Sequence, residues 1–262
     1  MDRLFDLAFV RPPSENYTNC VSSNPERDKI DVTLAKAQHR DYVSVLKENG
    51  VDVIELEPLD DFPDSVFMQD PAILGNRTGI IGRFGEERRR GEENAYAETL
   101  CAHGDKVSDL RHITPPGTLE GGDIVVTDRG IFVGLSSRTN IEGIRQLTAF
   151  LSELTVNPIS TKLFHLLCGC SYLSDGTMTI APTLVNPQSF PGFRFVTIPK
   201  DEAYACDALY VGNRKVVIPA GYGRAAGKMR DAGYTPLEVD VSEFYKGDGG
   251  VTCLSSPVYK LF

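Results

Sequence analysis

Two residues have side chains suited to covalent chemistry, and they lie far apart along the chain. Cys253 follows the pair Gly249-Gly250, which permits close backbone approach, and its thiolate form would be a nucleophile. His165 interrupts the apolar run 163–167, which predicts a buried strand, so burying its titratable ring there requires a reason. A cysteine and a histidine distant in sequence can meet in space as nucleophile and acid–base group. Each could equally be structural, as a small buried apolar residue or as a packed core histidine.

Acidic and basic side chains near the predicted strands could hold a small charged molecule. Asp64 and Asp70 flank one apolar stretch, and Glu120 precedes a glycine pair at the entrance of a strand. Buried carboxylates at such positions require a cationic partner. Arg89 and Arg138 lie in segments that lead into predicted helices, where each could bind a carboxylate through two parallel hydrogen bonds. Taken singly, the acids could cap turns and the arginines could be solvated surface charges.

The combination of carboxylates, arginines, one histidine and one cysteine predicts a pocket for a molecule with a cationic end and a carboxylate end. Free arginine or a relative of arginine fits that description. The sequence has no metal-ligand spacing, no phosphate-binding loop and no GxGxxG motif. We therefore expect no metal and no cofactor.

Composition narrows the possible partners. The 262 residues carry 36 acidic against 27 Lys and Arg side chains, a formal net charge of −9, which disfavours nucleic acid. No apolar run approaches the roughly 20 residues of a membrane helix, and charges stand where a signal peptide needs an apolar core. We expect a cytoplasmic protein with free thiols and no membrane partner. Whether it is a monomer or a homodimer is left open.

A weak internal repeat predicts how these residues are positioned. Apolar strands joined by tight polar turns predict four hairpins, at 70–83, 122–134, 171–180 and 207–219. Helical spacing predicts helices at 31–49, 92–103, 139–154 with a capping box beginning at Thr139, and 223–232. The chain then counts as about five β-β-α-β units, with the first incomplete at its start and the fourth lacking a helix. Such units indicate a circular or stacked arrangement around one core, with an ordinary mixed α+β sheet as the alternative.

Motifs spread along nearly the whole sequence resemble those of the dimethylarginine dimethylaminohydrolases, in the guanidine-modifying (pentein, arginine deiminase-like) superfamily. The matching segments are 62–67 (FPDSVF), 89–92 (RRGE), 117–123 (GTLEGGD), 137–143 (SRTNIEG), 218–222 (IPAGY) and 248–253 (DGGVTC). The resemblance implies a five-bladed α/β propeller with a central site. It also implies that residues 1–262 form a single guanidine-modifying enzyme domain.

The same resemblance implies roles for the candidate residues. Cys253 is implied to be the nucleophile and His165 the general acid and base. The others are assigned to substrate binding: Asp70 and Glu120 hold the guanidinium and the histidine, Asp64 supports them, Arg89 and Arg138 bind the α-carboxylate, and the lid-loop carbonyl of Val21 meets the α-amine. The implied partner is a small guanidino substrate.

The sequence departs from the family pattern at positions that bear on the substrate. Gln69 stands where the family usually has glutamate, so we expect a substrate-binding position with one negative charge fewer. Gly247 replaces an apolar branched residue before the cysteine loop. Arginine deiminases carry His-x-Asp where this chain has His165-Leu-Leu, which leaves room for methyl groups. We therefore expect hydrolysis of an Nω-methylated arginine to citrulline and an alkylamine. The alternatives are hydrolysis of another arginine-related guanidine and a catalytically silent guanidino-binding protein.

Overall fold

Short strands and tight turns fold into antiparallel hairpins along the computed structural model, which describes residues 3–261. At the turn of one hairpin, Asp175 and Gly176 have φ angles of 49° and 63°, the left-handed backbone that matches the twist of the flanking strands. The strands in chain order are β1 (Phe5–Val10), β2 (Asp52–Glu55), β3 (Ala72–Gly75), β4 (Thr78–Ile81), β5 (Asp109–His112), β6 (Ile124–Thr127), β7 (Gly130–Leu135), β8 (Val156–Ser160), β9 (Cys170–Ser174), β10 (Thr177–Ile180), β11 (Arg194–Thr197), β12 (Leu209–Gly212), β13 (Lys215–Pro219), β14 (Thr235–Val239) and β15 (Ser256–Tyr259).

The helices begin and end close to the predicted positions. They are α1 (Val32–Glu48), α2 (Glu92–Ala102), α3 (Ile141–Phe150), α4 (Gly223–Asp231) and the short α5 (Ser242–Tyr245). Asp31 caps α1 by accepting a hydrogen bond from the Leu34 amide at 3.0 Å. The cap of α3 is Asn140, which accepts from Gly143 N at 2.8 Å, because the Thr139 hydroxyl instead accepts from the Glu120 amide at 3.1 Å.

Four units repeat one arrangement, in which an antiparallel hairpin is followed by a crossover and a third strand parallel to the second. They are β3-β4-α2-β5, β6-β7-α3-β8, β9-β10-β11 and β12-β13-α4-β14. The β9-β10-β11 unit crosses over through a 3-10 turn at Pro187–Ser189 and has no α-helix, as the sequence predicted. Because each unit is too small to bury both faces of its sheet alone, it depends on its neighbours.

The fifth unit combines the two ends of the described chain. β15 pairs antiparallel with β1, β1 pairs parallel with β2, and α1 connects β1 to β2. This supplies the strand that the sequence lacks before β1. β15 also pairs parallel with β3, through Val258 opposite Leu74, and joins two units into one six-stranded sheet. Strand hydrogen bonds thus join this unit to the β3-β4-α2-β5 unit, the other three units are separate three-stranded sheets, and the predicted five-bladed propeller is confirmed.

The hydrophobic core is shared between units. Tyr42 and Leu46 of α1 are fully buried and pack in one cluster with Val211 and Val217 of the β12-β13 hairpin. Full burial of each such side chain contributes about 1.5–3 kcal/mol. Among residues 3–261, no helix has the length and apolar character needed to cross a membrane.

Candidate active site

The chemically interesting residues lie at one end of the inner strands. Each precedes the first strand of a different unit by a few residues. These residues are Asp70 before β3, Glu120 before β6, His165 before β9, Asp207 before β12 and Cys253 before β15. Because these strands surround the centre of the ring, five segments distant in sequence deliver their side chains to one place.

A cavity of about 270 Å³ opens at this place. Seven of the predicted site residues line it: Val21, Asp64, Asp70, Arg89, Arg138, His165 and Cys253. Glu120 is fully buried and contacts the histidine from behind. Only Gln69 is not brought to this group, among the residues expected to bind substrate.

His165 is held in the cavity wall by two carboxylates. Its Nε2 lies 2.8 Å from Glu120 Oε2, and its Nδ1 lies 3.6 Å from Asp70 Oδ1. The ring packs over Gly122, where a Cβ atom would overlap Nδ1, so this position requires glycine. The expected strand at 163–167 is absent: residues 166–168 form a 3-10 turn, and His165 stands directly before it.

The carboxylates set the protonation state of this histidine. Burial lowers the pKa of an imidazole, but the negative charges of Asp70, Glu120 and Asp123 outweigh it and raise the pKa of His165 to about 9. Burial likewise raises the pKa of Glu120, yet the hydrogen bond and charge of His165 hold it well below its usual range. In the unliganded protein, His165 is therefore an imidazolium at neutral pH, ready to donate a proton.

Glu120 is fixed by the segment that leads into α2 and by Arg138, one of the two arginines predicted to bind substrate. The amide of Gly85 donates to Glu120 Oε1 at 2.8 Å, and Arg138 Nη1 donates to Oε2 at 3.3 Å. Arg138 also lies 5.9 Å from the ring of Phe164 at the cavity wall. Its side chain is 18% exposed, so part of the guanidinium faces the cavity.

Arg89 lines the cavity and is bound to two buried carboxylates. Its Nη1 donates to Asp70 Oδ2 at 2.6 Å and its Nη2 to Glu92 Oε2 at 2.8 Å, and all three side chains are buried. The guanidinium also lies 4.4 Å from the centre of the Phe84 ring. Nη1 and Nη2 of Arg89 are each bound to a carboxylate of the protein, while the residue also lines the cavity.

Cys253 presents its sulfur to the cavity beside a further buried acid. Its Sγ lies 3.9 Å from Asp207 Oδ2. Burial, followed by the charges of Asp207 and Asp70, raises the pKa of the Cys253 thiol well above its usual value. The residue is therefore a neutral thiol in the unliganded protein at neutral pH.

A loop over the cavity is tied down by two aspartates. The Val21 amide donates to both oxygens of Asp64, at 3.1 and 3.0 Å. Ser22 Oγ and Ser23 N donate to Asp248 Oδ2, at 3.0 and 2.6 Å. Asp64 thus reaches the cavity as the anchor of this loop as well as through its charge.

Gln69 faces away from the cavity. Its side chain is buried, and its Nε2 donates to the Gly121 carbonyl at 3.3 Å. It lines a separate cavity of about 50 Å³ between the inner strands, with Thr252 and Tyr259. Residues 68–70 form a turn, closed by the Asp70 amide donating to the Phe67 carbonyl at 3.3 Å, and in this turn Asp70 enters the site while its neighbour Gln69 does not. The structure therefore gives Gln69 no direct contact with a ligand in the larger cavity.

The position of Gln69 predicts how Gln69→Glu will behave. The new carboxyl group must keep its proton to donate to the Gly121 carbonyl, so its folded-state pKa is raised. A carboxyl group whose pKa is raised on folding contributes to the stability of the folded state below its unfolded pKa near 4.3. This contribution to stability is lost as the pH rises through the folded-state pKa. We expect a lower melting temperature at pH 8 than for the parent, a smaller difference at pH 5, and an unchanged ranking of substrates.

Thermal melts at both pH values, with kcat/KM for methylated and unmethylated guanidines, check this expectation. Gln69→Met is the matched control, since it removes the donor without adding a charge. A changed substrate ranking at an unchanged melting temperature would place residue 69 in contact with the substrate and contradict the position described here.

Several functional residues escaped the sequence analysis. They are Glu92 beside Arg89, Asp248 at the loop, Asp123 behind His165 and Asp207 beside Cys253. Asp123 accepts from the Leu166 amide at 3.0 Å and from Ser136 Oγ at 2.7 Å, which fixes the turn carrying His165. The repeat contained a signal for one of them, because Asp207 opens its predicted hairpin as Asp70 opens another.

Three side chains of the site are close enough to one another to share a metal ion. Ligand atoms of Asp70, Glu120 and His165 lie within 4.8 Å of one another. Arg89 binds Asp70 Oδ2 and Arg138 binds Glu120 Oε2, so each carboxylate has a cation of the protein beside it, while Asp70 Oδ1 has no hydrogen-bond partner among the described residues. The spacing is accounted for by these ion pairs without a metal.

Comparisons with known proteins agree with this geometry. The family model for eukaryotic N,N dimethylarginine dimethylhydrolase matches residues 13–166. The chain is 37% identical to the N(G),N(G)-dimethylarginine dimethylaminohydrolase of Pseudomonas aeruginosa, over 96% of this chain and 99% of that protein. It is 39% identical to an uncharacterised protein of Aeropyrum pernix, over 99% of this chain and 98% of that one.

Solved structures show the same similarity. A cysteine-to-serine mutant of the Pseudomonas aeruginosa enzyme, complexed with citrulline, superposes with a TM-score of 0.91 at 35% identity, covering 97% of this chain and all of that one (100%). A histidine-to-glycine mutant of a dimethylarginine dimethylaminohydrolase, as an adduct with S-methyl-L-thiocitrulline, gives a TM-score of 0.90 at 36% identity, with 97% and 100% covered.

Proposed function

Because the chain belongs to the dimethylarginine dimethylaminohydrolase family, we propose that it hydrolyses an Nω-methylated arginine to citrulline and an alkylamine through a covalent intermediate on Cys253. One observation carries the proposal: a thiol and an imidazolium face the same cavity, whose wall includes buried carboxylates. A protein that only binds a guanidine needs neither the thiol nor the imidazolium. The relatives that bind citrulline and S-methyl-L-thiocitrulline are consistent with a ligand of this size and chemistry.

The cationic end of the substrate fits between the acids. Asp70 Oδ1 is buried and has no hydrogen-bond partner among the described residues, so it can accept from a guanidinium nitrogen. An unpaired buried oxygen costs free energy that a donor in the ligand recovers. Asp64 adds a second carboxylate to the same wall. We assign guanidinium binding to Asp70, supported by Asp64, with Arg89 keeping Asp70 in place.

The carboxylate end of the substrate fits Arg138. We assign the α-carboxylate to this guanidinium and the α-amine to the carbonyl of Val21, since both residues line the cavity. Glu120 draws Arg138 toward His165 and so fixes the distance between the two ends of the site. The anchoring of the Val21 loop by Asp64 couples the loop to the guanidinium end.

The reaction follows from the positions of these groups. The Cys253 sulfur attacks the guanidinium carbon, and His165 donates its proton to the departing amine as the C–N bond breaks. The amidino-thioether that remains is attacked by water, whose proton returns to His165, and citrulline is released. Asp70 and Glu120 stabilise the positive charges throughout, since both carboxylates are held in place before the substrate arrives.

Citrulline formation over a panel of guanidines tests the function. We expect Nω-methylated arginines to give citrulline and an alkylamine, and arginine to react more slowly because the site lacks an acid two residues after His165. Mass spectrometry identifies the released amine. Preference for unmethylated arginine would favour a deiminase, and binding without citrulline would show a silent binding protein.

Arg138→Gln tests the binding of the α-carboxylate. The change removes one charge-assisted hydrogen bond, worth about 1.5–3 kcal/mol, so we expect KM to rise roughly 10- to 100-fold with a smaller change in kcat. A methylated guanidine without the α-carboxylate should be affected much less. Arg145→Gln on the exposed surface of α3 is the matched control. An equal loss for both substrates would show that Arg138 does not bind the carboxylate.

A further inference from the structure

A buried carboxylate in contact with the nucleophile has no role in the reaction described so far. Asp207 lies just before β12 and is 4% exposed, and no arginine or lysine pairs with it among residues 3–261. A buried carboxylate without a cation is costly, so the structure retains it at the expense of stability. Such groups are concentrated at functional sites.

The cysteine loop is shaped to bring this carboxylate to the sulfur. Thr252 N donates to Asp207 Oδ1 at 2.8 Å, which leaves Oδ2 facing Cys253 Sγ at 3.9 Å. A Cβ atom at position 250 would overlap Oδ2, so Gly250 is required for the approach. The amide, the glycine and the sulfur therefore define one orientation of the carboxylate.

The thiol needs a proton acceptor, and His165 carries the proton that goes to the leaving amine. Its Nε2 contacts Glu120 and its Nδ1 faces Asp70, so both ring nitrogens are turned toward carboxylates. The imidazolium that donates its proton to the leaving amine cannot also accept the thiol proton in the same step. Asp207 Oδ2 is the carboxylate oxygen recorded in contact with Sγ among the described residues.

We propose that Asp207 is a catalytic residue that accepts the thiol proton of Cys253 when the substrate binds. The inference rests on the proposed hydrolysis and divides the acid–base work between two residues. Asp207 activates the nucleophile, and His165 protonates the leaving group.

Protons and electrons balance in this scheme. The S–H proton passes to Asp207 Oδ2 as the sulfur electron pair forms the bond to the guanidinium carbon. The C–N bond breaks as its electron pair and the His165 proton go to the leaving amine. After water adds and gives a proton to His165, the C–S bond breaks, and the sulfur takes its proton back from Asp207. The remaining proton leaves with the products, and the enzyme regains its starting state.

The surroundings of Asp207 favour proton exchange near neutral pH. Burial, partly offset by the Thr252 amide, raises the pKa of Asp207 to about 6. The titratable groups that face Asp207 and Cys253 are Asp70, Cys168, Tyr42, Tyr204 and, across an adjoining cavity of about 180 Å³, Tyr245 and Asp248. Burial raises the pKa values of Cys168, Cys253, Tyr42 and Tyr204, so these groups stay neutral in this range, and Asp207 is the carboxylate in contact with the sulfur.

The rate of Cys253 modification tests the proposal. We use a methylated arginine with acid quench and, separately, 2-chloroacetamidine, a cationic alkylating agent. In the parent we expect both rates to rise with pH through about 6. Asp207→Asn keeps the shape of the side chain and the Thr252 contact. In this variant we expect adduct formation to slow about 10²-fold at pH 7, and we expect the rise of the rate with pH (the Asp207-dependent limb) to disappear. Asp175→Asn, at an exposed hairpin turn, is the charge-matched control.

Asp207→Ala with added formate distinguishes loss of the proton acceptor from misfolding, because formate can enter the adjoining cavity and restore the acceptor. Restoration by formate, but not by chloride, supports the proposal. An Asp207→Asn rate equal to or faster than the parent's, or a parent rate independent of pH between 5 and 7, overturns it. If the parent makes no citrulline but 2-chloroacetamidine shows the Asp207-dependent limb, the substrate assignment fails and the role of Asp207 stands.

Discussion

Replacement of Cys253 by serine is expected to reduce citrulline formation below detection while the chain still folds. A serine hydroxyl is a far weaker nucleophile than a thiol toward a guanidinium carbon, and no other group replaces the sulfur. The change alters the side-chain volume little, and Asp207 can accept a hydrogen bond from a hydroxyl as from a thiol. The melting temperature should therefore stay close to that of the parent.

Acid-quenched turnover followed by peptide mass spectrometry locates the covalent intermediate. The amidino adduct should appear on Cys253 in the parent and be missing in Cys253→Ser. Cys101→Ser changes an exposed cysteine on α2 and should leave turnover unchanged. An adduct on Cys168 or Cys170 would show that a different thiol is the nucleophile.

Replacement of His165 by asparagine should lower kcat about 10²-fold or more, the usual contribution of a general acid and base. Asparagine can accept or donate a hydrogen bond to Glu120 but cannot deliver a proton to the leaving amine. In the parent, loss of the imidazolium proton should lower kcat/KM as the pH rises through about 9. The variant should lack that alkaline decline.

Stability gives a second reading of the same residue. The folded-state pKa of His165 is raised to about 9, so its contribution to stability is present below the unfolded value near 6.5 and is lost as the pH rises through 9. The melting temperature of His165→Asn should therefore lie below that of the parent at pH 6 and approach it above pH 9. His112→Asn, at an exposed position on β5, is the control. Near-parent turnover in the cold, where the variant remains folded, would contradict the catalytic role.

Local patterns predicted most of the secondary structure because they depend on neighbours in sequence. Hairpin turns, the presence of four helices and the five-unit count follow from glycine, asparagine and apolar spacing, and the structure confirms them, whereas the helix predicted at 139–154 spans Ile141–Phe150 and is capped by Asn140 rather than Thr139. The apolar run at 163–167 was wrongly predicted as a strand. Asp123 binds the Leu166 amide across more than forty positions, and this long-range contact favours a turn over an extended chain.

The site was predicted by residue type more readily than by contact. Cys253 and His165 stand out because their chemistry is unusual in their surroundings, and the family resemblance supplied the rest. The contacts of Gln69 and Arg89 could not be predicted from the sequence. The side of the chain on which Gln69 lies depends on the backbone at Asp70, and the partner of Arg89 depends on Glu92, whose burial the sequence did not indicate.

The joining of two units by β15 has a consequence for biosynthesis. The nucleophile lies three residues before the strand that joins β1 to β3, so residues 253–259 complete the chemistry and the architecture together. While the ribosome is still adding earlier residues, the growing polypeptide holds the imidazole and the acids but has neither the sulfur nor β15. We therefore expect neither turnover nor the β1–β15–β3 pairing before residues 253–259 have been translated.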